Sequence, residues 1–319
     1  MTDGRLRVAV LMGGRSSEHE VSLNSGRSVV EGLSPERYDV VPIEIPREGP
    51  WLLTREEAAE YDVVFPVLHG PFGEDGTMQG LLELADVAYV GAGVAGSALA
   101  MDKDLFKAVM RDNGVPVARS QTLRRGRDQG AESPFGVPVV VKPARLGSSV
   151  GISIGRTPDE LEAAVELAFA HDEKVLVEEF LTGVEVECSV LGNEEPVASV
   201  PGEIVPLASD WYDYEAKYAE GGMELVVPAR VAPGAAARVQ ELAVAAFVAA
   251  DCEGMARVDF FVSPDGAVTV NELNTIPGFT STSVYAKLFE ASGVPYRELL
   301  DRLVGLALER HERRAALEF

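Results

Sequence analysis

One hairpin near the end of the chain constrains the fold more than any other segment. Between Arg257 and Asn274, two runs rich in Val, Phe and Thr flank Asp265-Gly266, a dipeptide suited to tight hairpin turns. With Asp265-Gly266 as a two-residue loop, Pro264 faces Ala267, Asp259 faces Glu272 and Arg257 faces Asn274. A four-residue loop with the same centre keeps that register. Side chains alternate along a strand, so these last four share one face. Ala256, Val258, Phe260 and Val262 take the other face as core. Directly opposed carboxylates have Cβ atoms about 4.5–5.5 Å apart and repel unless something offsets their charge. Either the pair is solvated on an exposed sheet, or it supplies oxygen ligands to a hard divalent cation of the kind that accompanies phosphate. Four polar groups gathered on one face favour the cation.

The rest of the chain has to carry such a site. Its 319 residues suffice for two domains, or three small ones. Hydrophobic residues at 46% and charged residues at 25% are a globular mixture. The net charge of −23 repels nucleic acid and anionic membrane, so neither is expected as a partner. Any anionic substrate must be met by a few well-placed cations. Cys188 and Cys252 make neither a disulfide framework nor a metal-ligand spacing, which fits a reducing cytoplasm. The apolar run Val8 to Met12 is too short for a signal peptide. Ala243 to Ala250, within the longest apolar run, is far short of the roughly 20 residues of a membrane span.

Strand and helix alternate over the first ~95 residues, which argues for a parallel sheet. Val8 to Met12 reads as a buried strand ending in the turn at Gly13-Gly14, and Ser22 to Leu33 as a helix capped by Ser22 or Asn24. A helix over Asp102 to Asp112 ends at Asn113-Gly114-Val115-Pro116. Strands at Val137 to Lys142, Ile152 to Ile154 and Lys174 to Leu181 surround a helix from Pro158 to His171, capped by Thr157. A polar aromatic loop from Ser209 to Gly222 and a helix from Pro233 to Ala250 precede the hairpin. From Tyr296 a charged helix closes the chain, with Glu309 to Arg314 read as a solvated face.

Lys142 and the loop Gly147-Ser148-Ser149-Val150-Gly151 join two strands. Small residues let backbone N–H groups approach phosphate oxygens, and the lysine adds a charge. A plain hairpin turn explains such a loop equally well in isolation. The chain has no Walker A pattern and no G-x-G-x-x-G after its first strand, so it is neither a P-loop protein nor a standard dinucleotide binder. Lys103 stands at a helix start, where a cation is unfavourable; a functional lysine is one reason to tolerate it, and a solvated one explains it equally well in isolation. Val175 to Leu181 offers a backbone edge for an adenine ring, and Glu185 could take ribose hydroxyls.

Together these segments resemble the D-alanine–D-alanine ligases of the ATP-grasp superfamily over nearly the whole chain. The resemblance is carried by Gly13 to Ser22, Leu68 to Thr77, Met101-Asp102-Lys103, Lys142-Pro143, Gly147 to Gly151, Tyr212 to Tyr218, Arg257 with Asp259, and Glu272 to Gly278. It implies an α/β and α+β chain with the three-domain ATP-grasp fold. A parallel-sheet substrate domain would span 1–95, a central subdomain 96–182 and a catalytic domain 183–319. By the same resemblance, Asp259, Glu272 and Asn274 hold two Mg²⁺ or Mn²⁺ ions on the phosphates of ATP. Lys103, Lys142, Lys217 and Ser149 bind phosphate. Glu178, Leu181 and Glu185 contact the nucleotide, with Phe180 and Trp211 beside its base. Glu18 takes the ammonium of the first D-alanine, with Ser148 and Tyr218 as its hydrogen-bonded partners. Arg257 and the Gly278 N–H form the oxyanion site. Ser283 and Val284 meet the carboxylate of the second D-alanine, and His69 lines the substrate site or packs in its turn. Phe72 stands where some relatives carry a glycine or another small residue.

The implied function is ATP-dependent joining of two D-alanines through an acyl phosphate, for peptidoglycan precursors, by a cytoplasmic homodimer. A D-alanine–D-lactate ligase and a catalytically silent nucleotide-binding protein are the rivals. A nicotinamide oxidoreductase rests only on Gly13-Gly14. The loop over 209–222 suits a lid that shields the acyl phosphate from water. Tyr218, neutral where depsipeptide-forming relatives often place His, favours an amine as second substrate.

Overall fold

The computed structural model describes residues 4–49, 51, 53–128, 132–147, 150–207 and 222–318. Ser148, Ser149, Trp211, Lys217, Tyr218 and nearly all of the expected lid therefore lie outside the described residues.

Three sheets carry the described chain. The first is parallel, in the order β2-β1-β3-β4, with β1 at Leu6–Gly13, β2 at Tyr38–Ile45, β3 at Val63–Pro66 and β4 at Ala88–Tyr89. Val8 to Leu11 are fully buried, as a strand covered on both faces must be. The strand order reverses between β1 and β3, and crevices beyond the carboxyl ends of such strands are where ligands bind. Two loops leave that point, 14–18 after β1 and 67–76 after β3.

The helix after β1 differs from expectation. It spans His19–Gly32 (α1), with Glu18 rather than Ser22 or Asn24 at its cap position. Ser22 is not needed as a cap because its hydroxyl ties two strand ends together. Oγ accepts from Gly13 N at 2.8 Å and donates to Val67 O at 2.5 Å. Gly13 itself has φ +91°, and a Cβ there would sit 2.5 Å from Ile45 O, so only glycine fits.

The second sheet is antiparallel in the order β5-β8-β6-β7, with β5 at Ser120–Arg124, β6 at Val139–Pro143, β7 at Ser153–Gly155 and β8 at Lys174–Glu179. Helix α6, Pro158–Phe169, covers it, capped by Thr157 with Pro158 in the first turn. The third sheet runs β12-β11-β9-β13-β14, with β10 (Val197–Ala198) on β9. Its strands are β9 (Val184–Gly192), β11 (Gly202–Pro206), β12 (Met223–Val226), β13 (Gly254–Val262) and β14 (Val268–Asn274). Helix α7, Pro233–Ala249, packs on its back, where Ala256, Val258, Phe260 and Val262 are buried as expected. Helices α4 (Val94–Met101) and α5 (Lys103–Asp112) join the same core through Ala100, Phe106 and Met110. Helices α8 (Val284–Ala291) and α9 (Tyr296–Ala315) close on the first sheet. Among the described residues no helix is long and apolar enough to cross a membrane.

The hairpin reaches the expected site register by a different route. Its loop has three residues, Pro264-Asp265-Gly266, closed by Ser263 and Ala267, and Gly266 at φ +87° supplies the left-handed turn residue. Val262 therefore faces Val268, one residue off the two-residue-loop register. A β-bulge at Asn271 restores it, so Asp259 does face Glu272 and Arg257 does face Asn274.

The run Glu309 to Arg314 is not simply a solvated face. Arg310 is 3% exposed, donates to Gly91 O and to Tyr89 O, and stacks over the Tyr89 ring. The helix uses this arginine to pair the open carbonyls at the end of β4.

Candidate active site

The front of the third sheet carries two rows of polar side chains. Glu187 on β9, Asp259 on β13 and Glu272 on β14 lie side by side, and Ser189, Arg257 and Asn274 form the next row. A cleft runs from this face to the second sheet, lined by Lys142 and Glu178 of that sheet, by Leu181 just after β8 and by Glu185 of β9. Phe180 is half-buried and is not among the lining residues.

The lysines are placed by carboxylates and by the bulge. Lys142 Nζ lies 2.9 Å from Glu178 Oε2 and donates to Asn271 Oδ1 at 2.9 Å. Lys107, 1% exposed on α5, lies 3.2 Å from Glu178 Oε1 and reaches Asn271 O at 3.4 Å. Burial disfavours the charged form of Glu178, but Lys107 and Lys142 outweigh it and hold its carboxyl below the usual range. Burial likewise opposes charge on Lys142, and Glu178 and Glu272 more than compensate, so its ammonium is held above its ordinary value. Lys103 Nζ donates to Leu146 O at 3.0 Å and lies 3.3 Å from Glu272 Oε2. Its backbone N–H donates to Ala144 O, and Asp102 caps its helix by accepting from Leu105 N.

A second cavity opens at the switch point of the first sheet. Glu18 and Asn24 from α1 and its cap, His69 and Glu74 from the β3 loop, and Arg257, Asn274, Gly278, Ser283 and Val284 from the third part of the chain line it. Both ring nitrogens of His69 are engaged. Nδ1 faces Ile276 O at 2.9 Å, which makes it the protonated nitrogen, and Nε2 then accepts from Ser25 Oγ at 3.0 Å. Burial lowers the pKa of this ring and keeps it neutral. Glu74 accepts from Gly70 N at 2.7 Å and from Ile276 N at 3.1 Å, tying the β3 loop to the segment before Gly278. Burial, with the Glu18 charge added, pushes its carboxyl up to about 8. Phe72 takes φ +69° in this loop, held by an N–H donated to Asp75 at 2.9 Å. Ser283 precedes α8, and its Oγ accepts from Thr280 N at 3.0 Å.

Arg257 and Asp259 form a clamp within β13. Nε donates to Oδ1 at 2.7 Å and Nη2 to Oδ2 at 2.8 Å, while Asn274 Nδ2 reaches the same Oδ2 at 3.0 Å. Among the described residues no group of three or more His, Cys, Asp or Glu forms a self-sufficient metal site. Two carboxylates and an amide oxygen fit instead an ion that takes its remaining oxygen ligands from phosphate and water.

Sequence reasoning missed three neighbours of the site, two of them buried. Glu187 follows Glu185 by two residues on a strand and Lys107 follows Lys103 by four on a helix, spacings that put each pair on one face. Both could have been found. Asn271 could not, because its place in the cleft depends on a bulge that strand alternation does not reveal.

Comparisons with known proteins point to one family. The model of the D-ala D-ala ligase C-terminus matches residues 109–305, and that of the N-terminus matches 7–61 and 53–92. A D-alanine–D-alanine ligase of Solibacter usitatus is 49% identical over 325 residues, covering 99% of each chain. Among solved structures, the VanG D-Ala:D-Ser ligase of Enterococcus faecalis superposes with a TM-score of 0.87 at 37% identity, covering 95% of this chain and 99% of that one. The D-alanine–D-alanine ligase of Bacillus anthracis complexed with ATP gives 0.82 at 30% identity, covering 97% and 99%. With both family models matched and a relative 49% identical over 99% of each chain, on an ATP-grasp scaffold whose lysine-bearing cleft meets a second cavity, the chain belongs to the D-alanine–D-alanine ligase family.

Proposed function

We propose that the protein joins two D-alanines at the expense of ATP, releasing ADP and phosphate, as a step toward peptidoglycan precursors in the cytoplasm. One observation carries this reading. Glu187 and Glu272 line both cavities, so the acidic end of the lysine-lined cleft abuts the chamber that contains Glu18, Arg257 and Gly278. Among the described lining residues these two are the ones the cavities share, which is where a phosphoryl group would meet a carboxylate.

A carboxylate is a poor electrophile, and phosphorylation converts it to an acyl phosphate. Lys103 and Lys142 offset charge on the phosphates, and Leu181 and Glu185 flank the nucleoside. Phe180, Ser149, Trp211 and Lys217 complete this reading as nucleotide contacts. Asp259, Glu272 and Asn274 would hold two Mg²⁺ or Mn²⁺ ions, whose chemistry when bound is charge neutralisation on the transferred phosphoryl group. Glu18, with Ser148 and Tyr218, orients the first D-alanine through its ammonium. The second amine, deprotonated, attacks the acyl carbon, and Arg257 with the Gly278 N–H stabilises the oxyanion. Ser283 and Val284, at the N-terminal end of α8, suit the second carboxylate. His69, neutral and held on both sides, keeps the chamber in shape. Three separate sheets support a three-part division, with α4 and α5 of the central segment packing into the core of the third sheet, and the homodimer is part of the same reading.

Phosphate release is measured with purified protein, ATP and Mg²⁺, with D-alanine compared against L-alanine, D-serine and D-lactate. D-Alanine alone supports turnover and gives the dipeptide. A mixed product with D-serine or D-lactate, favoured over the dipeptide at neutral pH, overturns the choice of second substrate. Phosphate release independent of any amino acid overturns the ligase.

A further inference from the structure

Glu187 is a buried carboxylate to which the ligase reading gives no task. Along β9, Val186, Cys188 and Val190 are 0% exposed in the core, which puts Glu185, Glu187 and Ser189 on the cleft face. The Glu187 side chain is 6% exposed. It lies directly beside Asp259, which faces Glu272 on its other side. A third carboxylate in this row adds repulsion to a site that must also accept a triphosphate. A buried charge of that kind is retained only with a partner.

Among the described residues Arg257 is an ion-pair partner, close in charge but without a hydrogen bond to Glu187 Oε2. Its Nε is 2.9 Å from Glu187 Oε2 and 2.7 Å from Asp259 Oδ1, and its Nη2 lies 2.8 Å from Asp259 Oδ2. Asp259 thus carries the guanidinium and the Asn274 amide together. It is also the carboxylate assigned to a metal ion. An ion on Asp259 and the guanidinium compete for the same two oxygens, and what the ion takes Arg257 loses. The strand order decides what remains. β13 lies between β9 and β14, so Glu187 holds the guanidinium from the flank away from Glu272 and Asn274.

We propose that Glu187 is a positioning residue, which keeps the Arg257 guanidinium at the reacting carbonyl while Asp259 is committed to the metal ion. The assignment rests on the ligase reading. It also gives the third carboxylate its reason, since a neutral residue there would leave Arg257 leaning on Asp259 and competing with the ion.

The test begins with wild-type dipeptide synthesis, whose absence counts against the ligase reading and not against Glu187. Mn²⁺ binding in the presence of ADP is then followed by the EPR signal of the free ion. The variants are Glu187→Ala, Arg257→Ala and the double variant. Loss of an outer partner of this kind costs about 10- to 100-fold in metal affinity or activity, so Glu187→Ala weakens Mn²⁺ binding and lowers kcat by about tenfold or more. In the Arg257→Ala background the same change has no further effect on Mn²⁺ binding, because Glu187 acts through Arg257. Equal loss in both backgrounds would show that Glu187 acts on the ion directly, and would overturn the proposal. So would unchanged binding in the presence of Arg257. If the alanine variant does not fold, Glu187→Gln, which keeps the shape and removes the charge, is read in the same two backgrounds with the same outcomes.

Discussion

Glu74 accepts two backbone donors and still keeps its proton into the neutral range, because burial and the Glu18 charge outweigh those hydrogen bonds. The sign of its effect on stability follows. Its carboxyl rises from 4.5 to about 8 on folding, so between those values the unfolded chain has released the proton and the folded chain has not. This group's contribution falls as pH rises through that window, by about 1.4 kcal/mol for each unit of difference. Glu74→Gln removes the fall, which urea unfolding at pH 5 and pH 8 would detect. An unchanged fall in the variant would place the titrating group elsewhere. Asn271 gives a second prediction at this scale. Asn271→Ala takes a neutral acceptor from Lys142 while leaving its ion pair with Glu178. A hydrogen bond to a charged group is worth about 1.5–3 kcal/mol, so the KM for ATP rises by about tenfold or more with the fold retained by circular dichroism.

Elements were legible where their local chemistry agreed with their tertiary use. Thr157-Pro158 opens α6 as read, and the alternation of β13 puts Asp259 on the cleft and Phe260 in the core. Helix α1 starts before the position a Ser22 cap implies, because the Ser22 hydroxyl instead ties the end of β1 to the residue after β3. The hairpin is more instructive. A three-residue loop shifts the register by one and the Asn271 bulge shifts it back, so Asp259 faces Glu272 through two compensating departures from the simple ladder. Pattern alone sees neither departure, and neither Lys107 nor Asn271 entered the expected site. Gly13 gives this scale its test. Gly13→Ala forces a Cβ against Ile45 O at 2.5 Å. With φ at +91° as well, the end of β1 must shift, moving Ser22 and the loop to Glu18. Thermal melting should show a clear loss of stability, and a variant as stable as wild type would contradict the close approach.

Across the whole molecule, the last helix binds the two ends of the chain together. Leu299, Leu300 and Leu303 of α9 enter the core of the first sheet, and Arg310 pairs the carbonyls of Tyr89 and Gly91. The charge run at Glu309 to Arg314 concealed this, since sequence does not distinguish an arginine that reaches inward from its solvated neighbours. Arg310→Met leaves two carbonyls without their partner, at about 1–3 kcal/mol each. A midpoint of urea unfolding that does not move would show that Arg310 is dispensable. The larger claim is that two cavities meet so that a phosphoryl group reaches a carboxylate. Turnover of D-alanine labelled with ¹⁸O in its carboxyl group tests this most directly, by mass spectrometry of the released phosphate. An acyl phosphate requires one labelled oxygen in the phosphate for each dipeptide formed. Dipeptide formed with unlabelled phosphate would contradict the account.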